Sequence, residues 1–255
     1  MNPENAPGGR LPSVPGRLAG PTDRRRFLQW SGAAAAGAIL IACDKSPTDP
    51  AGDTMSALDG SFDDAHAEVT IDLGNDLGIL NFAYALEQLE AAYYVTVAQN
   101  FYPGASGAEQ ELLRDIKSHE VIHREFFAAA LGSAKIPNLR VNFSSVDFGS
   151  RASVLGTARA LEDTGVGAYN GAAQFLGNSD YLTVAGKIVS VEARHASAIR
   201  DVLGRSFAPQ AFDPAFTFEQ AFRRAAPFIA TKIALKRSPT ANIASRQTAD
   251  LEMDS

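Results

Sequence analysis

The chain has 255 residues, 45% of them hydrophobic, enough to bury one good core but hardly two. Its single cysteine excludes an internal disulfide framework and a thiolate metal cluster. A formal net charge of −6 argues against a nucleic-acid partner, which needs a basic face, and suits a domain that attracts cations.

Residues 1–22 are rich in Pro and Gly and lack periodicity. They read as a long leader or as an overextended start. A basic stretch, Arg24-Arg25-Arg26, is followed by an apolar run from Trp30 to Ala42 and then by Cys43. That order, basic then apolar then small, is the pattern of an export signal on residues 1–42. The run is shorter than the roughly 20 residues of a spanning helix. Arg24-Arg25-x-Phe27-Leu28 resembles a twin-arginine signal, and Leu40-Ile41-Ala42-Cys43 resembles a lipobox. Together they imply a protein exported to the bacterial cell envelope, acylated at Cys43 and facing the periplasm, with the membrane touched through the lipid alone. A cleaved signal without lipid and an uncleaved anchor are the alternatives. Residues 1–42 hold five Arg against Glu4 and Asp23, so the remainder is more acidic still. Residues 43–71, rich in Asp, Ser, Pro and Gly, read as a flexible linker in which His66 is a solvated residue rather than a ligand.

Four helices follow. The first spans Asp76 to Gln99 and stops before Pro103-Gly104. The second opens at Ser106-Gly107-Ala108-Glu109, a capping-box pattern, and ends near Gly132. A connection over about 133–149 then carries the chain back, so that the third helix runs parallel to the second. The third spans Ser150 to Leu176, and the fourth spans Asp180 to Leu203. Gly165 and Gly167 cost the third helix about 1 kcal/mol each against Ala. They leave room for close helix approach or a substrate channel, or are merely tolerated. Residues 205–235 form a C-terminal extension, with a fifth helix over 217–235 that Pro227 kinks or splits, and 236–255 read as a disordered tail.

These helices carry one pattern twice. Glu87 is followed by Tyr94, seven residues on, and then by Glu120 and His123; Glu162 is followed by Tyr169, and then by Glu192 and His195. The glutamates are 33 residues apart in one copy and 30 in the other. Residues i and i+3 share a helix face, so Glu120 with His123, and Glu192 with His195, can each grip one ion from a single helix. Residue i+7 lies two turns along the same face, placing Tyr94 near Glu87 and Tyr169 near Glu162. The two tyrosines are the candidate catalytic residues, relaying an electron or proton, with plain packing as the alternative. Each glutamate sits in an apolar stripe, where a lone carboxylate is costly. Four carboxylates balance two divalent ions, and such a set suits iron or manganese better than copper or zinc. Glu90, one turn from Glu87, is read as exposed or in a supporting role, with a reserve ligand as the alternative, and His119, one residue before Glu120, as pointing about 100° away from it.

The repeated motifs resemble the ferritin-like superfamily of di-iron and di-manganese proteins, over about residues 72–204. The run Asn81 to Tyr94 is most similar to exported ferritin-like proteins grouped with the desiccation-related proteins. The resemblance implies an all-α four-helix bundle with a long crossover between helices 2 and 3 and a short fifth helix. It implies Glu87, Glu120, His123, Glu162, Glu192 and His195 as ligands of two Fe or Mn ions. It further implies reaction with peroxide or O2, of a di-iron oxidase, peroxidase or manganese catalase kind. Metal buffering and a structural stress role are the alternatives. A homo-oligomer is compatible with it; nothing marks a cage-forming ferritin.

Overall fold

The computed structural model describes residues 66–236. The expected export signal, Cys43, most of the linker and the tail beyond Lys236 lie outside the described residues. In chain order the elements are β1 (Val69–Asp72), α1 (Asp76–Gln99), α2 (Gly107–Leu131), α3 (Arg151–Ala173), α4 (Ser179–Val202), α5 (Phe218–Ala225) and β2 (Ile233–Lys236). Single 3₁₀ turns follow α2 at Gly132–Ala134 and α5 at Ala226–Phe228.

Each helix start is fixed by a local polar side chain. Asn75, Ser150 and Asn178 cap α1, α3 and α4, while α2 and α5 open on complete capping boxes, Ser106 with Glu109 and Thr217 with Gln220. Short loops join α1 to α2 and α3 to α4, giving two hairpins. Their mutual direction follows from the contacts between their ends. Asp76, at the start of α1, accepts from the backbone N–H groups of Gly177 and Asn178 beyond the end of α3, both at 2.8 Å. Tyr93, near the end of α1, donates to the Val154 carbonyl near the start of α3 at 2.6 Å. α1 is therefore antiparallel to both α2 and α3, which leaves α2 and α3 parallel, as a ferritin-like bundle requires.

A parallel pair needs a long return, and α1 supplies its bed. α1 is buried on nearly every side, so it serves two layers at once. Glu87, Glu90 and Tyr94 serve the bundle interior. Asn81 and Gln88 serve the return: Asn81 donates to the Ala134 carbonyl and accepts from Ile136 N–H, and Gln88 accepts from Leu139 N–H. The Tyr93 ring meets Phe143 and Phe148 edge-on or tilted. These bonds satisfy both the buried amides and the loop backbone.

The ends of the described chain differ from expectation. Residues 69–71, read as linker, belong to β1, with Val69 and Ile71 buried. Residues 233–236, read as helix and tail, form β2, which pairs in parallel with β1 in the register Val69↔Ile233 to Asp72↔Lys236. Pro227 lies in the 3₁₀ turn that ends α5. Beyond it, Thr231 accepts from Arg140 N–H, so the chain is drawn into extended pairing rather than a second helical half. The small residues of α3 also find a use. A Cβ at Gly167 would stand 2.2 Å from the Phe216 ring, and one at Gly171 would stand 1.8 Å from the Phe216 carbonyl oxygen. The chain before α5 thus lies directly on the α3 backbone, where only glycine fits. No described helix is long and apolar enough to cross a membrane.

Candidate metal centre

The four glutamates of the repeated motif sit mid-helix, one on each long helix, and none exposes any surface. His123 and His195 are buried beside them, at 9% and 5% exposure. All six side chains meet in one space. His123 Nδ1 lies 3.2 Å from Glu192 Oε1, 3.4 Å from Glu87 Oε2 and 3.5 Å from Glu120 Oε2. His195 Nδ1 lies 2.9 Å from Glu120 Oε1 and 3.3 Å from Glu162 Oε2. Two overlapping groups could each hold an ion: Glu87, Glu120, His123 and Glu192, and Glu120, Glu162, Glu192 and His195. Within each, the ligand atoms lie within 4.8 Å of one another. Glu120 and Glu192 are common to both; Glu87 with His123 and Glu162 with His195 are the private members.

The tyrosines act across the bundle. Tyr94 donates to Glu162 Oε1 at 2.5 Å, and Tyr169 donates to Glu87 Oε1. Seven-residue spacing suggested the glutamate on the same helix; the antiparallel α1–α3 pairing hands each phenol to the opposite one. Burial, reinforced by the neighbouring carboxylates, lifts both phenols well above their ordinary pKa, so they remain donors. Each thereby fixes one oxygen of its glutamate and leaves Oε2 to face the cluster.

Eight buried atoms there have no hydrogen-bond partner: Glu87 Oε2, both oxygens of Glu120 and of Glu192, Glu162 Oε2, and Nδ1 of His123 and of His195. Buried polar atoms are rarely left so; apart from the close approach of the two imidazoles to the carboxylates, this set is one that a shared cation would satisfy. The protonation pattern agrees. Burial pushes Glu87 up to about 7 against the pull of His123, and pushes Glu162 and Glu192 upward too. For Glu120 burial is outweighed by His123 and His195, which hold it at about 2. Burial opposes charge on the imidazoles, but the carboxylates raise His123 to about 12 and His195 to about 10. The negative field that retains these protons attracts divalent cations, and binding a cation expels the protons. Buried carboxylate and imidazole donors in two overlapping groups suit the binding of metal ions.

Residues 75–205, just over half of the chain, match the model of the ferritin-like domain. The chain belongs to the ferritin-like family. No curated protein matches it significantly.

Two residues that the sequence reading sets aside lie against this ferritin-like site. Glu90 is 3% exposed, and its Oε2 is without a partner. Burial and the charge of Glu192 drive its pKa well up. Its place is opened by α3: a Cβ at Gly165 would stand 3.2 Å from Glu90 Oε1 and 2.9 Å from Glu192 Oε2. The i+3 spacing from Glu87 was a usable signal; the glycine across the bundle was not visible. His119 is the second. With Glu120 and His123 it spells H-E-x-x-H, which on a zinc-protease helix puts both histidines on one metal. Here Glu120 itself turns into the cluster, and His119 turns to His195 of α4, with its Nδ1 2.8 Å from His195 Nε2. Burial and the neighbouring His195 and His123 hold His119 below the usual histidine range. Asp163 is paired with Arg200 at 2.5 Å, and Arg194 is exposed.

Proposed function

We propose that this cluster holds two iron or manganese ions and reacts with dioxygen or peroxide. Glu120 and Glu192 would be shared, Glu87 and His123 would complete one position, and Glu162 and His195 the other. The observation that carries this reading is the set of eight unpartnered buried atoms on these six residues. When bound, such a pair supplies redox equivalents and Lewis acidity toward an oxygen–oxygen bond. The protein's part is positioning: Tyr94 and Tyr169 hold the outer oxygens of Glu162 and Glu87, and the apolar stripes keep water out. An apolar cleft lined by Leu80, Phe82, Leu86, Phe127 and Ala185 reaches the Tyr169 ring and suits a small uncharged oxidant. Complete burial of the four glutamates argues against a buffer, which must release its ions. The similarity of residues 81–94 to the desiccation-related group, together with the Arg24-Arg25 and Cys43 motifs, supports a protective role at the cell envelope.

Metal analysis of the purified protein tests the first step, with about two ions per chain expected. Metal affinity falls as pH is lowered, because protons on His123 and His195 compete with the ions. Anaerobic loading with Fe(II), then rapid mixing with O2 or peroxide, tests the second. A transient absorption that forms and decays with turnover supports the reaction. Two bound ions and no oxidant consumption would leave a binding or structural protein.

A further inference from the structure

We propose that His119 is a positioning residue that orients His195 for metal binding, making the two metal positions unequal and the His195 position the tighter. This rests on the di-metal reading above and adds to it a residue outside the repeated motif.

The geometry is specific. The two imidazole planes are within 10° of parallel, and their centroids are 5.1 Å apart. The nearest nitrogens are 2.8 Å apart. That centroid separation is about what two rings need when joined end to end through such a bond, with a ring radius on either side. The rings are therefore close to coplanar rather than face to face, the alignment a linear N–H···N bond prefers. The other nitrogen of His195 is the one that faces Glu120 and Glu162. A neutral imidazole has one N–H and one lone pair. To offer Nδ1 to a metal, His195 must carry its hydrogen on Nε2, and His119 Nδ1 stands there to accept it. The bond thus selects the ligating tautomer and fixes the ring plane.

His123 has no counterpart. Position 119 precedes Glu120; the matching position before Glu192 is Val191, which cannot accept a hydrogen bond. Among the described residues, none hydrogen-bonds Nε2 of His123. The motif is duplicated in its ligands and single in this support.

The test is stepwise anaerobic titration with Mn(II) alone, followed calorimetrically. His119 is exposed, so its variants keep the bundle intact. His119→Ala and His119→Phe should weaken one of the two binding steps by about 10–100-fold and leave the other within a few-fold. His119→Asn, whose Oδ1 can take the place of Nδ1, should restore most of the loss. In the metal-free protein, ¹⁵N-histidine NMR should show an exchange-protected His195 Nε2–H that His119→Phe abolishes. Wild-type-like binding by the Phe variant, or equal weakening of both steps, would overturn the proposal. Wild-type protein that binds no pair of Mn(II) ions, yet shows the protected N–H, would instead locate the failure in the di-metal reading.

Discussion

The α1–α2 hairpin and the α3–α4 hairpin carry the same four-residue motif, yet they are not interchangeable halves. Each gives one private glutamate, one shared glutamate, one histidine and one tyrosine, and each tyrosine serves the other hairpin's glutamate. The departures cluster just off the motif. Where α1 has Glu90, three residues after Glu87, α3 has Gly165, three residues after Glu162. Where α2 has His119, α4 has Val191. The first difference is complementary, because the glycine of one half makes space for the extra carboxylate of the other. The repeated motif accounts for the six residues of the cluster; in the proposed two-ion site, the positions where the repeat breaks would make one metal position differ from its twin.

The sharpest way to break the near-symmetry is to compare shared with private glutamates. Glu120→Gln or Glu192→Gln removes the negative charge that both metal positions share, together with one of the two carboxylate oxygens, and should leave essentially no tightly bound metal. Glu87→Gln or Glu162→Gln touches one position and should leave about one ion per chain. Plasma mass spectrometry on desalted protein separates these outcomes. Equal losses from all four variants would mean that the site does not divide into two shared and two private carboxylates.

A smaller effect is expected at the complementary pair. Gly165→Ala places a methyl against Glu192 and Glu90 and should lower metal affinity about tenfold, by analogy with other outer contacts of metal sites. Glu90→Ala in the same chain vacates part of that space and should recover some of the loss, a coupling a double-mutant cycle measures. Strictly additive single effects would show that Gly165 and Glu90 do not compete for one space.

The bundle was legible because its signals are local. Asp76 to Gln99 emerges as α1 with the boundaries its sequence implies, and Ser106 with Glu109 caps α2 as the pattern indicates. The six motif residues were legible because i, i+3 spacing reports a helix face regardless of what packs on it. Tertiary choices were not. Residues 69–72 and 233–236 are more than 160 positions apart, and neither run shows alone that it has a strand partner. The crossed tyrosine bonds depend on helix direction, His119 on which turn of α4 it meets, and Glu90 on an opposing glycine. Each is a relation between two segments rather than a property of one.

The smallest expected effects lie at Tyr94 and Tyr169, where the halves should behave alike. Tyr94→Phe leaves Glu162 Oε1 without its donor, and Tyr169→Phe does the same to Glu87. A buried acceptor stripped of its partner costs about 1–3 kcal/mol, so each variant should lower the stability of the metal-free protein by that order. With Oε1 released, each glutamate can rotate, and affinity at its own metal position should fall several-fold. Because the two bonds belong to different private glutamates, the double variant should lose about the sum of the single losses in binding free energy. That is the signature of positioning. A phenol that instead relays an electron or proton would leave metal affinity unchanged and abolish turnover in the loaded protein. Measuring metal affinity and oxidant consumption on the same two variants therefore decides which role these tyrosines have. A large difference between Tyr94→Phe and Tyr169→Phe would show that the asymmetry set by Glu90, Gly165 and His119 extends into the part of the site that looks most symmetric.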